Sequence, residues 1–326
     1  MEHKIVTFGC WNNYRLLDEV IPMHVVGRYL KSVEGNYNDL IILGDNYYPQ
    51  EKESILIDGV KVKKAKFNID HFNSGFEMVN NLSIPNKYLI MGNHDVEDTL
   101  LDKCVGLKLQ LDNANFNVAF PYGYKDIIVG SIKYKYIFID TNLYNLKDKA
   151  HTCFNEVKGR TAGEILRDQN EFIRQQLLDT SVLMFIIFGH EPLISIKTKS
   201  SDTFDGVSIK SGILSKELIE MLFSMGKNIL YVCADVHMYQ YGNIRTESGL
   251  LIKQLVCGTG GADRDNICIS KREYKMEEYN YELLNSVESF GYVEIILTER
   301  GIKHNYIKLK KSLEIERFNN KYKIEY

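Results

Sequence analysis

The sequence predicts an α/β protein with mixed β-sheets. Short apolar runs rich in β-branched and aromatic residues recur along the chain and have the length of strands. Stretches with helical spacing lie between several of these runs. Near the carboxyl end, the runs 292–297 and 302–307 are separated only by a Glu-Arg-Gly turn, which favours antiparallel pairing. Mixed sheets are therefore expected rather than a purely parallel one.

The same patterns give the individual elements. The predicted strands are 5–8, 40–43, 88–91, 136–139, 183–188, 229–233, 250–256, 292–297 and 302–307. The predicted helices are 15–33, 69–80, 162–178 and 215–224. The polar stretch 197–210 is expected to form an exposed loop at the rim of a site. Because the chain has only five prolines and no Gly/Ser-rich linker, residues 1–326 are expected to form a single domain.

Composition limits the classes of partner. The 326 residues carry a net charge of -3, so no basic excess points to nucleic acid or to an acidic membrane surface. No apolar run reaches about 18 residues, so a membrane span is not expected. The amino terminus shows no signal-peptide pattern, and we expect a cytoplasmic protein. The six cysteines lie far apart without a CxxC pair, and they are expected to be reduced thiols.

Four polar motifs directly follow predicted strands. In an open α/β sheet, ligands gather where strands end and loops begin, so residues distant in sequence can converge there. Carboxylate, imidazole and amide groups are ligands for Zn, Mn and Fe. Each motif alone is also typical of an ordinary turn or helix cap, but together and in this order they predict a metal site. The motifs are Gly44-Asp45-Asn46, Gly92-Asn93-His94-Asp95, Gly189-His190 and Asp235-Val236-His237.

The motifs resemble the signature of the calcineurin-like metallophosphoesterases, which runs GD, GD(N), GNH(D/E), GH and GHxH. Tyr48, three residues after Asp45, matches the metal-binding tyrosine in the GDxxY motif of the purple acid phosphatase branch. The tripeptide Gly9-Cys10-Trp11 and the segment 237–241 also resemble motifs of that branch, and the likeness extends from residue 5 to about 307. Within that branch, the chain resembles the small tartrate-resistant type. This resemblance implies the metallophosphoesterase fold, a four-layer α/β/β/α sandwich with two mixed β-sheets.

The resemblance also implies a cofactor of two metal ions, which would be Fe, Zn or Mn. Asp45 would lie between the two ions. Tyr48 and His237 would bind the first ion, and Asn93 and His190 would bind the second. Two metals about 3.5–4 Å apart can share a hydroxide and align it with phosphorus, opposite the leaving oxygen.

Two further residues have catalytic roles by the same resemblance. His94 would act as the general acid or stabilise charge on the phosphoryl oxygens, and Asp95 would orient the His94 ring.

Two expected ligands differ from the family pattern. Cys10 stands where the family has an aspartate on the first metal, and Asp235 stands where it has a histidine on the second. Both residue types can bind metal, and they raise the number of potentially anionic ligands from three to four. We therefore expect a preference shifted towards divalent metals. Two alternatives remain open, namely that Cys10 is a buried thiol touching no metal and that Tyr48 is a packed core tyrosine.

These features predict a metal-dependent phosphatase acting on a phosphorylated small molecule or a phosphoprotein. Hydrolysis of phosphodiesters at the same site is a close alternative, because a more negative pocket disfavours a phosphate dianion more than a diester monoanion. A second alternative is a degenerate fold retained for binding. A nuclease is a weaker hypothesis, since no basic, aromatic-interleaved groove is visible. A monomer that does not associate with membranes is expected.

Overall fold

The computed structural model describes residues 1–13, 21–49, 51–57, 59–96, 104–144, 148–199, 208–262, 264–265, 272–310 and 315–319. Most of its strands belong to two large sheets, here called sheet I and sheet II.

Sheet I has seven strands. They are β1 Glu2–Phe8, β2 Asp39–Leu43, β5 Asn86–Ile90, β6 Asn117–Val118, β17 Gly291–Thr298, β18 Gly301–Leu309 and β19 Ile315–Asn319. The order across the sheet is β19-β18-β17-β1-β2-β5-β6. Strands β1, β2, β5 and β6 run parallel to one another, and β17, β18 and β19 extend the sheet beyond β1 with antiparallel pairing. The sheet is therefore mixed, as the sequence predicts.

Sheet II has eight strands. They are β7 Tyr122–Val129, β8 Ile132–Ile139, β9 Met184–Phe188, β12 Ile229–Cys233, β13 Tyr239–Thr246, β14 Leu251–Cys257, β15 Glu273–Met276 and β16 Tyr279–Val287. The order is β15-β16-β13-β14-β12-β9-β8-β7, with β8, β9, β12 and β14 parallel. The parallel strands β9 and β12 are buried along their whole length, which explains their uninterrupted apolar sequences.

Helices and two small hairpins complete the described part of the chain. The helices are α1 Pro22–Val33, α2 Ile69–Asn80, α3 Val105–Leu111, α4 Asp148–Lys158, α5 Ala162–Leu177 and α6 Lys216–Ser224, with 3-10 turns at Glu34–Asn36 and Thr141–Leu143. The hairpins are β3 Glu51–Ile57 with β4 Val60–Lys66 and β10 Ile194–Lys199 with β11 Ser208–Ile213. Local caps set several helix starts: Asn68 caps α2, and Thr161 and Glu164 form a reciprocal capping box on α5.

The sheets pack face to face with helices on the outer faces. Ile41 of β2 and Ile295 of β17 share one buried cluster with Tyr136 of β8 and Phe188 of β9. A second cluster joins the other face of sheet I to α1 and α2, and a third joins sheet II to α5 and α6. This arrangement confirms the predicted four-layer α/β/β/α sandwich with two mixed sheets.

The expectation that all cysteines are reduced thiols is wrong for one pair. Cys104 and Cys153 form a disulfide with an S–S distance of 1.99 Å and a Cα–Cα distance of 5.4 Å. The two residues are 49 positions apart in sequence, and they meet only because α3 starts beside α4. Spacing along the chain carries no signal for such a tertiary contact. Cys10, Cys233 and Cys257 are free and buried, and Cys268 lies outside the described residues.

Other elements differ from the sequence prediction as well. The expected loop 197–210 instead supplies parts of β10 and β11 at its two ends, and residues 200–207 lie outside the described ranges. The first residues of the predicted helix 15–33 also lie outside them, and the helix that is described begins at Pro22. None of the described helices is long and apolar enough to cross a membrane.

Candidate metal centre

The candidate site lies where parallel strands of both sheets end. Cys10, Asp45 and Asn93 follow β1, β2 and β5 of sheet I. His190 follows β9 of sheet II, and Asp235 and His237 follow β12, so each sheet supplies part of the site. The carboxyl ends of parallel strands are the usual location of ligand sites in α/β proteins. Side-chain contacts bring together all seven residues predicted as metal ligands.

Asp45 is the centre of this cluster. Its Oδ2 accepts a hydrogen bond from the Tyr48 hydroxyl at 2.8 Å, and that hydroxyl lies 3.3 Å from Nε2 of His237. Its Oδ1 lies 3.3 Å from Nε2 of His190 and accepts a hydrogen bond from the backbone N–H of His94 at 3.0 Å. The two oxygens of one carboxylate therefore face two different groups of ligand side chains.

His190 is oriented by a contact between the sheets. Its Nδ1 lies 2.6 Å from the carbonyl oxygen of Leu43, the last residue of β2. Because a carbonyl can only accept, Nδ1 carries the proton and Nε2 faces the site. Nε2 lies 3.2 Å from Oδ1 of Asn93 and 4.0 Å from Oδ1 of Asp235. In this orientation Nε2 can bind a metal once it has lost its proton.

Cys10 contributes to the same buried group. One ligand atom each from Cys10, Asp45 and His190 lie within 4.8 Å of one another, and all three residues are buried. Around this buried group lies a rim of partly exposed residues, which are Asn93, His94, Asp235 and His237. A substrate would therefore approach from the rim side, over a floor of buried donors.

The ligand turns require unusual backbone conformations. Cys10, Asp45 and Asp235 have φ values of 53°, 52° and 54°, in the left-handed region that residues other than glycine rarely adopt. Strained backbone of this kind concentrates at functional sites. Gly92 is needed for a different reason: a Cβ atom there would lie 2.3 Å from both the backbone nitrogen and Oδ1 of Asp45. The turns after β2 and β5 thus touch through glycine backbone.

Charges in the buried group are strongly coupled. Burial alone would lower the pKa of His190, but the adjacent Asp45 carboxylate raises it to about 10. Burial alone would raise the pKa of Asp45, but the positive charge of His190 holds it below the ordinary value. Burial raises the pKa of the Cys10 thiol, and the carboxylates of Asp45 and Asp235 raise it further. A cation bound among these groups would take over the role of the imidazolium proton and favour the thiolate.

The hydrogen bonds of the Asp95 carboxylate go to the turns that carry the candidate ligands. Its Oδ2 accepts from the backbone N–H of Gly92 at 2.7 Å and from the Asn46 amide at 3.0 Å. Its Oδ1 accepts from the backbone N–H of Asn46 at 2.9 Å and from the Gln110 amide at 3.0 Å. Burial raises the pKa of Asp95 to about 7, and the nearby Asp45 adds to the shift. These hydrogen bonds differ from the role implied by resemblance, and orientation of the His94 ring by Asp95 stays a prediction.

Sequence reasoning missed three supporting residues. Gln110 and Asn12 both contact Asn46, which follows Asp45: Asn12 donates to the Asn46 carbonyl at 3.0 Å, and Gln110 accepts from the Asn46 amide at 2.8 Å. Nothing in the sequence around Gln110 or Asn12 indicates these contacts. Asp140 had a usable signal, because it directly follows a predicted strand as the ligand motifs do. Its Oδ1 accepts from the backbone and side-chain nitrogens of Asn142 at 2.9 and 2.8 Å, and burial raises its pKa to about 7.

Comparisons with known proteins agree with the architecture. The chain is similar in structure to GAP50, the anchor in the inner membrane complex of Plasmodium, with a TM-score of 0.54 and 13% identity over 99% of this chain and 90% of that one. It is also similar to PhoD, with a TM-score of 0.58 and 10% identity over 98% of this chain and 68% of that one. The fold is of the metallophosphoesterase type. No protein-family model and no curated protein sequence matches the chain.

Proposed function

We propose that this chain is a metal-dependent phosphoesterase that hydrolyses phosphomonoesters, with a phosphorylated small molecule or a phosphoprotein as substrate. The observation that carries the proposal is the placement of the Asp45 carboxylate. One of its oxygens faces Tyr48 at 2.8 Å and the other faces His190 at 3.3 Å, as a carboxylate shared by two cations requires. Because a structural zinc site needs only one closed set of ligands, this shared arrangement favours a catalytic pair.

The donors divide into two sets around Asp45. Cys10, Tyr48 and His237 would hold the first ion, and Asn93, His190 and Asp235 would hold the second. The mixture of thiol, phenol, imidazole, amide and carboxylate donors fits Fe, Zn or Mn. When bound, the ions would polarise the phosphoryl oxygens and lower the pKa of water.

In this proposal His94 transfers a proton at the rim of the site. Its backbone N–H is anchored on Oδ1 of Asp45, and its ring packs on the Tyr48 ring with a centroid distance of 4.6 Å. The side chain is partly exposed, so it can reach a leaving oxygen that the buried ligands cannot. In this proposal the imidazolium of His94 donates its proton to that oxygen as the ester bond breaks.

The proposal is tested with an aryl phosphate and its diester analogue, each assayed with Mn, Zn, Fe or no added metal. Turnover of the monoester should depend on metal. His94→Ala should lower kcat about 100-fold or more, because a general acid contributes about 100- to 10,000-fold, while metal content stays unchanged. His24→Ala, on α1 outside the site, is the matched control and should keep full activity.

Two other results would change the assignment. A faster diester reaction would favour phosphodiester hydrolysis, which the negative charge of the site allows. Absence of turnover with every metal would refute the catalytic proposal and favour a binding role, and the structural neighbour GAP50 is described as an anchor.

A further inference from the structure

A buried glutamine on α3 connects the ligand turns to a covalent link. Gln110 is fully buried, and both ends of its amide are used. Its Nε2 donates to Oδ1 of Asp95 at 3.0 Å, and its Oε1 accepts from Nδ2 of Asn46 at 2.8 Å. A buried amide with two hydrogen bonds has little freedom to move without breaking one of them.

The two partners of Gln110 hold both ligand turns of sheet I. Asn46 follows Asp45 directly, and its side chain also donates to the Ile90 carbonyl at 2.9 Å. Asp95 accepts from the backbone N–H of Gly92, in the turn that carries Asn93. A shift of the Gln110 amide would therefore move both the turn that carries Asp45 and the turn that carries Asn93.

The helix that carries Gln110 needs an external constraint. α3 has seven residues, and a helix of that length is not stable by itself. Cys104 precedes α3 and is bonded to Cys153 of α4, and the exposed pair Lys108–Glu156 joins the same two helices. Cys104 and Cys153 are both buried, in the cluster that also contains Leu107 of α3. The covalent bond thus fixes the start of α3 six residues before Gln110.

We propose that Gln110 and the Cys104–Cys153 disulfide act as one positioning unit that sets the metal affinity of the site. The inference rests on the proposed metal centre. Gln110 is a positioning residue, since it acts through Asp95 and Asn46 and is not among the ligands. Reduction by a dithiol would transfer two electrons and two protons to the bond, give two thiols and leave the dithiol as its own disulfide. Metal affinity then falls, because α3 and the Gln110 amide lose their fixed position.

The test is zinc affinity of the full chain, measured by competition with a chromogenic chelator. Gln110→Met, which keeps the volume and removes both hydrogen bonds, should weaken zinc binding about 10- to 100-fold, the range typical for groups that orient ligands. Cys104→Ala with Cys153→Ala should weaken it similarly. If both act through the same contacts, their effects should not add. The triple variant that combines Gln110→Met with both cysteine substitutions should then bind zinc about as weakly as the Gln110→Met variant or the double cysteine variant. The visible spectrum of the cobalt form should change in the same variants.

Two controls separate positioning from general loss of stability. Gln254→Met removes a glutamine that is equally buried and hydrogen-bonded twice, but to the backbone of Ile194, and it should leave zinc affinity unchanged. Lys108→Ala removes the exposed pair between α3 and α4 and should also have no effect. Unchanged affinity in Gln110→Met overturns the inference even if the cysteine variant does not fold. A parent chain that binds no metal overturns the proposed function as well.

Discussion

Cys10 places a thiol where the motif that the sequence resembles has an aspartate, and the structure puts it in the buried group with Asp45 and His190. Thiolate is a soft ligand that favours Zn over Mn, whereas carboxylate accommodates both. We therefore expect Cys10→Asp to shift the ratio of zinc to manganese affinity towards manganese by about tenfold or more. Competition titrations of the parent and the variant measure this ratio.

The same substitution has a direct spectroscopic readout. The cobalt form of the parent chain should show a near-ultraviolet band from thiolate-to-cobalt charge transfer, and Cys10→Asp should abolish it. Cys257→Ala, which removes another free buried thiol, should keep the band. Absence of the band in the parent would mean that Cys10 is a packed core thiol and not a ligand.

His304 on β18 is a second residue whose burial has a measurable consequence. It packs between the sheets, with Nε2 3.0 Å from the Tyr239 hydroxyl of β13, and burial lowers its pKa from 6.5 to about 3. The unfolded chain therefore binds a proton below about pH 6.5 that the folded chain binds only near pH 3. The free energy of unfolding should fall as pH decreases across this window, by up to about 1.4 kcal/mol per pH unit.

His304→Gln should reduce this slope, since glutamine does not titrate. Urea unfolding of both proteins at pH values between 4 and 7 measures the difference. Parallel loss of stability in parent and variant would show that another group is responsible.

At the scale of elements, the turn after β5 has no room for an added methyl group at Gly92. In Gly92→Ala the new Cβ would clash with the Asp45 backbone and carboxylate, so the two turns must separate. We expect loss of metal binding with the fold retained, checked by metal analysis and circular dichroism.

Gly163→Ala is the matched control, because a Cβ at this position of α5 meets nothing within 4 Å. It should leave metal binding intact and stabilise the protein by up to about 1 kcal/mol. Full metal content in Gly92→Ala would contradict the close packing of the turns.

The elements also show which sequence signals are reliable. The apolar runs 229–233 and 40–43 coincide with buried strands to within a residue, because parallel strands covered on both faces have few polar positions. Strand β13 was missed, since its sequence YQYGNIRT contains polar residues and a glycine although most of it is buried. Nε2 of the buried Gln240 there donates to the Ile196 carbonyl of β10 at 2.8 Å, a partner that periodicity does not reveal.

At the scale of the whole molecule, convergence of the ligand motifs was predictable and their support was not. Strand ends in an α/β sheet meet at one edge, so motifs after strands are brought together by topology alone. Gln110 and the disulfide depend on how α3 docks, which is a property of tertiary packing. The sequence for that reason predicted which candidate ligands would lie together, but neither the residues beneath them nor the disulfide between Cys104 and Cys153.

The disulfide has a predicted effect on global stability. It closes a loop with a sequence separation of 49 residues, for which chain entropy gives an upper value of about 4 kcal/mol. Cys104→Ala with Cys153→Ala should lower the free energy of unfolding by about 2–4 kcal/mol in urea titrations. Cys257→Ala, which breaks no bond, should cost less. Identical unfolding midpoints for the parent and the double variant would contradict the presence of the bond.

The hydrogen bond from His190 to Leu43 spans the seam between the two layers of strands. Neither layer alone contains a complete set of ligands, so ion capture requires both layers to be docked in correct register. A bound cation pair would cross-link the two sheets, so that both unfold in one cooperative transition rather than one after the other. Metal occupancy of the site and the cooperativity of global unfolding therefore both depend on the docking of the two sheets.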